Sequence, residues 1–245
     1  MLVTDNSELL PPLPEDWERA LAVVAHPDDL EYGAASAIAR WTSQGKSVSY
    51  VLVTNGEAGI DSLAPEEAGP LRAQEERSSA AAVGVEEVEF LGHRDGMIEY
   101  SLGLRRDIAA AIRRHRPEIV VTINHHPTWG GSSFNMADHR VVGLAVIDAA
   151  RDAGNRWVFR EQLDQGLEPW NGVRMVCVNA SPHLTHAVDV TGFLARGVDS
   201  LLAHRAYLDN LGEGFDARAF LESGASHVGR QAGVEHAVGF EVIDV

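Results

Sequence analysis

The run LAVVAHPDDLEYG (residues 21–33) decides how the chain is read. Leu21 to Ala25 form an apolar stretch of the kind that makes a buried strand. The stretch stops at His26-Pro27-Asp28-Asp29, and a helical pattern runs from Leu30 to about Gly45. One imidazole and two carboxylates at the end of a buried strand need an explanation.

The same alternation continues along the chain. SVSYVLVT (47–54), VEEVEFLG (85–92) and EIVVTIN (118–124) read as further strands, and residues 71–83, 103–117 and 138–152 as helices between and after them. Residues 55–70, rich in Gly, Pro and Asp, read as a loop. RMVCVNA and HAVDV, within 154–190, read as two more strands, and 193–211 as a last long helix. Repeated strand–helix–strand units with near-continuous apolar strands predict an α/β fold, a doubly wound, mostly parallel sheet with helices on both faces. We expect a single domain over 1–245, with 213–245 an unassigned C-terminal tail. In a doubly wound sheet of the usual order, strands one and four are neighbours across the topological switch point, and ligands bind outside their carboxyl ends. The loop after strand one carries His26, Asp28 and Asp29. The loop after strand four carries His125, His126, Asp138 and His139. The topology predicts that these two groups meet.

Composition narrows the partners. The net charge is -16, which disfavours DNA or RNA, since phosphate binding needs a basic surface. No apolar run reaches the ~20 residues of a membrane span. The first 17 residues lack the basic and apolar segments of a secretory signal, and the one cysteine, Cys177, has no internal partner. We therefore expect a cytoplasmic protein. Strand-like residues around Cys177 predict a core position. A homo-oligomer is compatible with the sequence. No G-x-G-x-x-G follows strand one and no G-x-S-x-G occurs, which argues against a dinucleotide-binding protein and a serine hydrolase. No second metal cluster is visible, which argues against two-metal phosphatase chemistry.

Neutral imidazole and carboxylate are good zinc ligands, and a catalytic zinc usually has three protein ligands and one open position. His26 and Asp29, three apart at a turn, can face one ion, and His139 can complete the set. Asp28, between the first two, is then free to move protons. Asp28-x-x-Glu31 also fits a helix capping box, so the turn alone has a plain structural explanation. The joint placement of both clusters is what favours a metal site. Such a site also accepts iron, cobalt or nickel.

The motif AHPDDLEYG resembles the signature of the LmbE-like, or PIG-L, family of zinc-dependent N-deacetylases. VLVTNGEAG (51–59), LRAQEERSSAAAVGVEEVEFLGHRDGMI (71–98), ADHRVVGLAVIDAA (137–150) and HAVDVTGFLARGVDSLLAHRAYL (186–208) follow in the family's order. The resemblance implies a Rossmann-like fold and hydrolysis of an N-acetyl group on an N-acetylglucosamine-type conjugate. It implies a Zn2+ cofactor held by His26, Asp29 and His139, with Asp28 as general base. It points to Arg72, Asp95 and Glu57 as substrate contacts.

The chain departs from the family at MADH (136–139), where members commonly carry His-Pro-Asp-His. Met136 replaces a histidine that stabilises the oxyanion or protonates the leaving amine, and Phe134 stands near a common tyrosine position. His126, in NHHPTWGG (124–131), is our candidate substitute, with Asp138 as an orienting partner of His139 or of that acid. The family's His-x-Ser-Gln is His204-Arg-Ala-Tyr here, and His204 reads as a partly buried, satisfied helix residue. Two alternatives stay open: a metal-binding member with weakened catalysis that acts as a binding protein, and an amidase on a non-sugar small amide.

Overall fold

The computed structural model describes residues 9–212 and 214–245; residues 1–8 of the N-terminal stretch and Glu213 of the tail lie outside the described residues. The first half is built as β1 (Arg19–Val24), α1 (Ala35–Ser43), β2 (Ser47–Leu52), α2 (Pro65–Ala82), β3 (Glu87–Phe90), α3 (Leu102–His115) and β4 (Ile119–Ile123). A small hairpin, β5 (Thr128–Gly130) and β6 (Ser133–Phe134), leads into α4 (Ala137–Gly154) and the short α5 (Glu161–Asp164). Then come β7 (Met175–Asn179), β8 (His186–Asp189), α6 (Leu194–Leu201), α7 (Arg205–Asn210), α8 (Ala217–Ala232) and β9 (Ala237–Asp244).

The main sheet has the order β3-β2-β1-β4-β7-β9-β8. β1 pairs in parallel with both β2 and β4, so the switch point falls where the sequence places it. The period-two alternation of β1 divides the core. Ala22 and Val24 face the layer containing α1, while Leu21 and Val23 face the layer of α3 and α4. Burial on both faces explains why the central strands read as unbroken apolar runs. Cys177 is a buried strand residue, its thiol pushed up to about 12 by burial.

Four expectations are corrected. The first helix starts at Ala35, not at Leu30, because residues 28–34 form consecutive tight turns in which Leu30 O accepts the N–H groups of Gly33, Ala34 and Ala35. Asp28 also has φ 96°, outside any helix. The second helix starts at Pro65, six residues before the expected Leu71. Proline at the first turn, followed by Glu66 and Glu67, suits a helix N-terminus. The expected helix 193–211 is two helices, broken around His204, whose side chain is fully buried. The unassigned tail supplies α8, capped by the Asp216 side chain, and β9, which runs antiparallel between β7 and β8.

β9 is central rather than peripheral, and Phe240 anchors it. Its side chain is fully buried and stacks on Trp41 at 5.9 Å between ring centroids. Truncating a buried phenylalanine costs about 3–5 kcal/mol. Phe240→Ala is expected to lower stability by that amount in urea unfolding; a loss below about 1 kcal/mol would show that β9 is dispensable to the sheet.

Candidate metal and active site

The carboxyl ends of β1 and β4 bring the two sequence clusters together. Asp29 is fixed first by its own backbone: one carboxylate oxygen, Oδ2, accepts the N–H groups of Ala25 at 3.0 Å and His26 at 2.9 Å. That leaves Oδ1 facing outward. It lies 3.0 Å from His139 Nε2 and 3.7 Å from His26 Nδ1, and the two ring nitrogens are 3.1 Å apart. Three ligands at the usual 2.0–2.2 Å from a tetrahedral zinc are separated by roughly 3.3–3.6 Å. The donor triangle fits one such ion. The three donors converge in a buried site, where a cation would take the place of the protons they otherwise share; His26, Asp29 and His139 are each 5–6% exposed.

The groups behind the triangle hold it in place. His26 Nε2 lies 3.0 Å from Asp95 Oδ1 and 3.3 Å from Asp138 Oδ2. Asn135 Oδ1 lies 3.2 Å from His139 Nδ1. A carboxylate or amide oxygen on the far nitrogen fixes a ligand imidazole's tautomer and orientation. Burial opposes the imidazolium of His26, but the carboxylates of Asp138, Asp29 and Asp95 outweigh it and raise its pKa well above the ordinary value. Burial likewise opposes the charge on Asp29, but His139 and His26 hold its carboxyl far below the usual range.

Asp28 faces a different set of partners. Its left-handed backbone turns the carboxylate away from Asp29 and onto Arg72, whose Nη2 donates to Oδ2 at 2.7 Å. Burial raises its pKa to about 6 against the pull of Arg72, with the charge of Asp29 adding to the rise. Asp28 N–H donates to Glu76 Oε2 at 3.2 Å. The carboxylate is engaged by Arg72 and the first regular helix starts beyond it, so the capping-box explanation does not describe this turn. Arg72 is 2% exposed, donates to Gly56 O and lies under the Tyr207 ring at 4.4 Å. A Cβ on Gly56 would approach Arg72 Nη1 to 2.5 Å, so glycine there makes room for the guanidinium.

These groups open into a cavity of about 690 Å³ whose walls include Tyr32, Trp129, Met136, Tyr207 and Phe220. Of the other candidate residues, Arg72 and Asp95 line it. Glu57 is not among its lining residues; its carboxylate accepts the Asp95 N–H at 2.9 Å and braces the loop behind His26. Asp138 is also absent from the lining and orients His26 rather than His139, while accepting the N–H groups of Gly96 and Ile98. His126 is not brought to the cavity. It pairs with Glu241 at 2.8 Å, because β9 passes beside the loop after β4. His204 is neither partly buried nor satisfied: it is fully buried, without hydrogen-bond partners on its ring nitrogens, 3.8 Å from Glu31 and 3.5 Å from Glu76. Sequence reasoning passed over Asn135 and Tyr207. Asn135 lies four residues before His139 but outside α4, before its extended N-cap Met136, so no spacing in the sequence marks it.

Residues 21–150 match the family described as PIG-L: GlcNAc-PI de-N-acetylase. The chain belongs to the PIG-L family. A diacetylchitobiose deacetylase of Thermococcus kodakarensis is 26% identical over 93% of this chain and 84% of its own length. A 1D-myo-inositol 2-acetamido-2-deoxy-alpha-D-glucopyranoside deacetylase of Geodermatophilus obscurus is 32% identical over 61% of this chain. The match spans 65% of that relative's length. Among solved structures, the N,N'-diacetylchitobiose deacetylase of Pyrococcus horikoshii superposes with a TM-score of 0.84 at 26% identity, over 93% of this chain and 84% of that one. The donor triangle, Asp28, Arg72, Asp95 and Asp138 all fall within the matched segment. PIG-L deacetylases are metal-dependent, which agrees with a triangle that can hold one cation. No helix among the described residues is long and apolar enough to cross a membrane.

Removing a partner of a metal-ligating histidine typically costs 10–100-fold in metal affinity. Asp95→Asn is expected to weaken metal binding at this site by that factor in a chelator competition. An unchanged affinity would remove Asp95 from the support of His26.

Proposed function

We infer that the protein is a zinc-dependent N-deacetylase acting on an N-acetylated amino-sugar conjugate. The observation that carries this reading is the convergence of His26, Asp29 and His139 at the floor of one cavity, with Asp28 beside them and held apart. When bound, zinc supplies Lewis acidity and makes hydroxide available near neutral pH.

The chain's own groups then divide the work. Asp28 accepts the proton of the attacking water and returns it to the departing amine. Its burial brings the charged and neutral forms close in energy near neutral pH, which suits a group that must take both. Arg72 orients the Asp28 carboxylate and keeps it from turning toward Asp29. Asp95 and Asp138 fix the His26 ring, and Asn135 that of His139. Tyr207, in the cavity wall, supplies a hydroxyl donor that Met136 cannot. Burial and the facing Asp28 charge raise the Tyr207 pKa well above the usual phenol value, so it keeps its proton and serves as a hydrogen-bond donor to the developing oxyanion. The aromatic walls offer flat apolar faces against which a sugar ring can rest while its acetamido group reaches the floor. Acetate and a free amine are the products.

Met136, 53% exposed and lining the cavity, favours one competing reading: a member that binds metal and ligand with little turnover. The deciding experiment is elemental analysis of the purified protein, paired with acetate release from N-acetylglucosamine conjugates such as diacetylchitobiose. Metal with release supports the enzyme. Metal without release from any conjugate supports the weakened member. No metal at the His26–Asp29–His139 set, even after zinc is supplied, defeats both.

Asp28→Asn is expected to keep its zinc and lose about 10²–10⁴ in kcat, the usual worth of general acid–base help. Near-normal turnover would overturn its role. Tyr207→Phe is expected to lower kcat by about 10²–10³ with zinc content unchanged. If only KM moves, Tyr207 is a binding residue and not a donor.

A further inference from the structure

We propose that His125, His126 and Glu241 form a second metal site for one zinc-class cation, separate from the His26–Asp29–His139 centre. The motif NHHP, which the catalytic centre leaves unused, supplies two imidazoles at the end of β4. The C-terminal strand β9 brings a carboxylate to them across 115 residues of sequence. One donor atom from each of the three residues lies within 4.8 Å of the others. His183, exposed on the segment between β7 and β8, packs its ring edge-on against His126 with centroids 4.7 Å apart. It stands beside the three donors on the open side.

Several features distinguish this cluster from a simple ion pair. The rings of His125 and His126 lie 4.1 Å apart between centroids, yet only His126 is paired with the carboxylate. His125 Nδ1 is buried without any hydrogen-bond partner. A ring nitrogen with no other hydrogen bond, beside a second imidazole and a carboxylate, is free to act as a ligand. The frame around the donors is also built. Asn124 Oδ1 accepts the His126 N–H at 2.8 Å, and Asn135 Nδ2 donates to the carbonyls of Asn124 and His126. Ser181 Oγ donates to Glu241 Oε2 at 2.6 Å and accepts the His183 N–H at 3.0 Å. Four separate segments are thus fixed around one point.

The donor chemistry selects the ion. Two imidazoles and one carboxylate suit zinc and its neighbours, whereas calcium and magnesium require mostly oxygen ligands. Small side-chain rotations convert the present arrangement into coordination: the 2.8 Å contact of His126 with Glu241 opens to the roughly 3.3–3.6 Å between zinc ligands, and His125 closes in. None of the three donors lines the catalytic cavity, so the ion is not a co-catalytic partner. It would clamp the loop after β4 to β9. Asn179, the last residue of β7, and Ala180, which opens the segment that carries Ser181, belong to the cavity wall. The sequence shows one metal cluster because the donors of the second are contiguous only in space.

The test counts zinc. Wild type, His139→Ala, Glu241→Gln, His126→Ala and the double variant His139→Ala/Glu241→Gln are stripped with chelator and dialysed against buffered micromolar zinc. Circular dichroism confirms that each is folded. We expect two zinc ions per chain in wild type, one in each single variant and none in the double variant. Zinc is also expected to raise the Tm of His139→Ala but not of the double variant. One zinc in wild type and in Glu241→Gln and His126→Ala alike would overturn the second site. A His139→Ala variant that binds none would do the same. If Glu241→Gln and His126→Ala each lose one zinc while His139→Ala loses none, the second site stands and the assignment of the first fails.

Discussion

Two imidazoles and a carboxylate that converge on one point in a buried pocket must share either protons or a cation. The structure holds His26 Nδ1, Asp29 Oδ1 and His139 Nε2 in that arrangement at 3.0–3.7 Å. Around them stand three further buried or partly buried carboxylates, Asp28, Asp95 and Asp138, against one close guanidinium, Arg72. In a low-dielectric interior this excess of negative charge favours a cation strongly. Much of the surrounding architecture can be understood as holding the site open for one. Asp29 is locked by two backbone N–H groups, Asp28 is turned aside by an uncommon φ, and each histidine is braced from behind. Backbone strain of this kind persists only where the surroundings determine it, and here they do so through Arg72 and Glu76.

The sheet provides the framework. β1 and β4 are adjacent because the winding reverses direction between them, and their ends bring together residues more than a hundred positions apart. This much was legible in the sequence. Apolar runs gave the strands, their alternation with helices gave the winding, and the switch point gave the meeting of His26 with His139. What was not legible depended on long-range pairing. Nothing local marks residues 237–244 as the strand that separates β7 from β8. Without that strand, His126 looked free to serve the cavity. With it, His126 is drawn to Glu241. The helix expected across His204 fails for a related reason. Its periodicity is helical, but the chain bends at His204, whose imidazole is fully buried near Glu31 and Glu76. Asp95 lines the cavity, but its contact with His26 and the support that Glu57 gives it were not legible, since a turn residue's hydrogen bonds depend on the loop that packs against it.

The division of the chain between chemistry and selection follows from where the residues fall. The three metal donors, Asp28 and Arg72 all lie between residues 26 and 139, inside the segment that matches the family. The cavity wall draws on residues beyond it, among them Asn179, Tyr207, Leu211 and Phe220. The reacting end is thus set by the ends of β1 and β4, while part of the wall comes from helices and turns of the C-terminal third. Loops on a fixed scaffold are where binding preferences change most readily. Tyr207 belongs to both parts. It comes from the wall, yet its ring covers Arg72 and its hydroxyl faces Asp28. A donor arriving from the wall can offset the one missing at Met136, because a tetrahedral oxyanion needs a proton donor within reach, whichever element provides it. On this reading, the exchange of a histidine for methionine in the MADH turn relocates the donor and ties the chemistry more closely to the segment that selects the substrate.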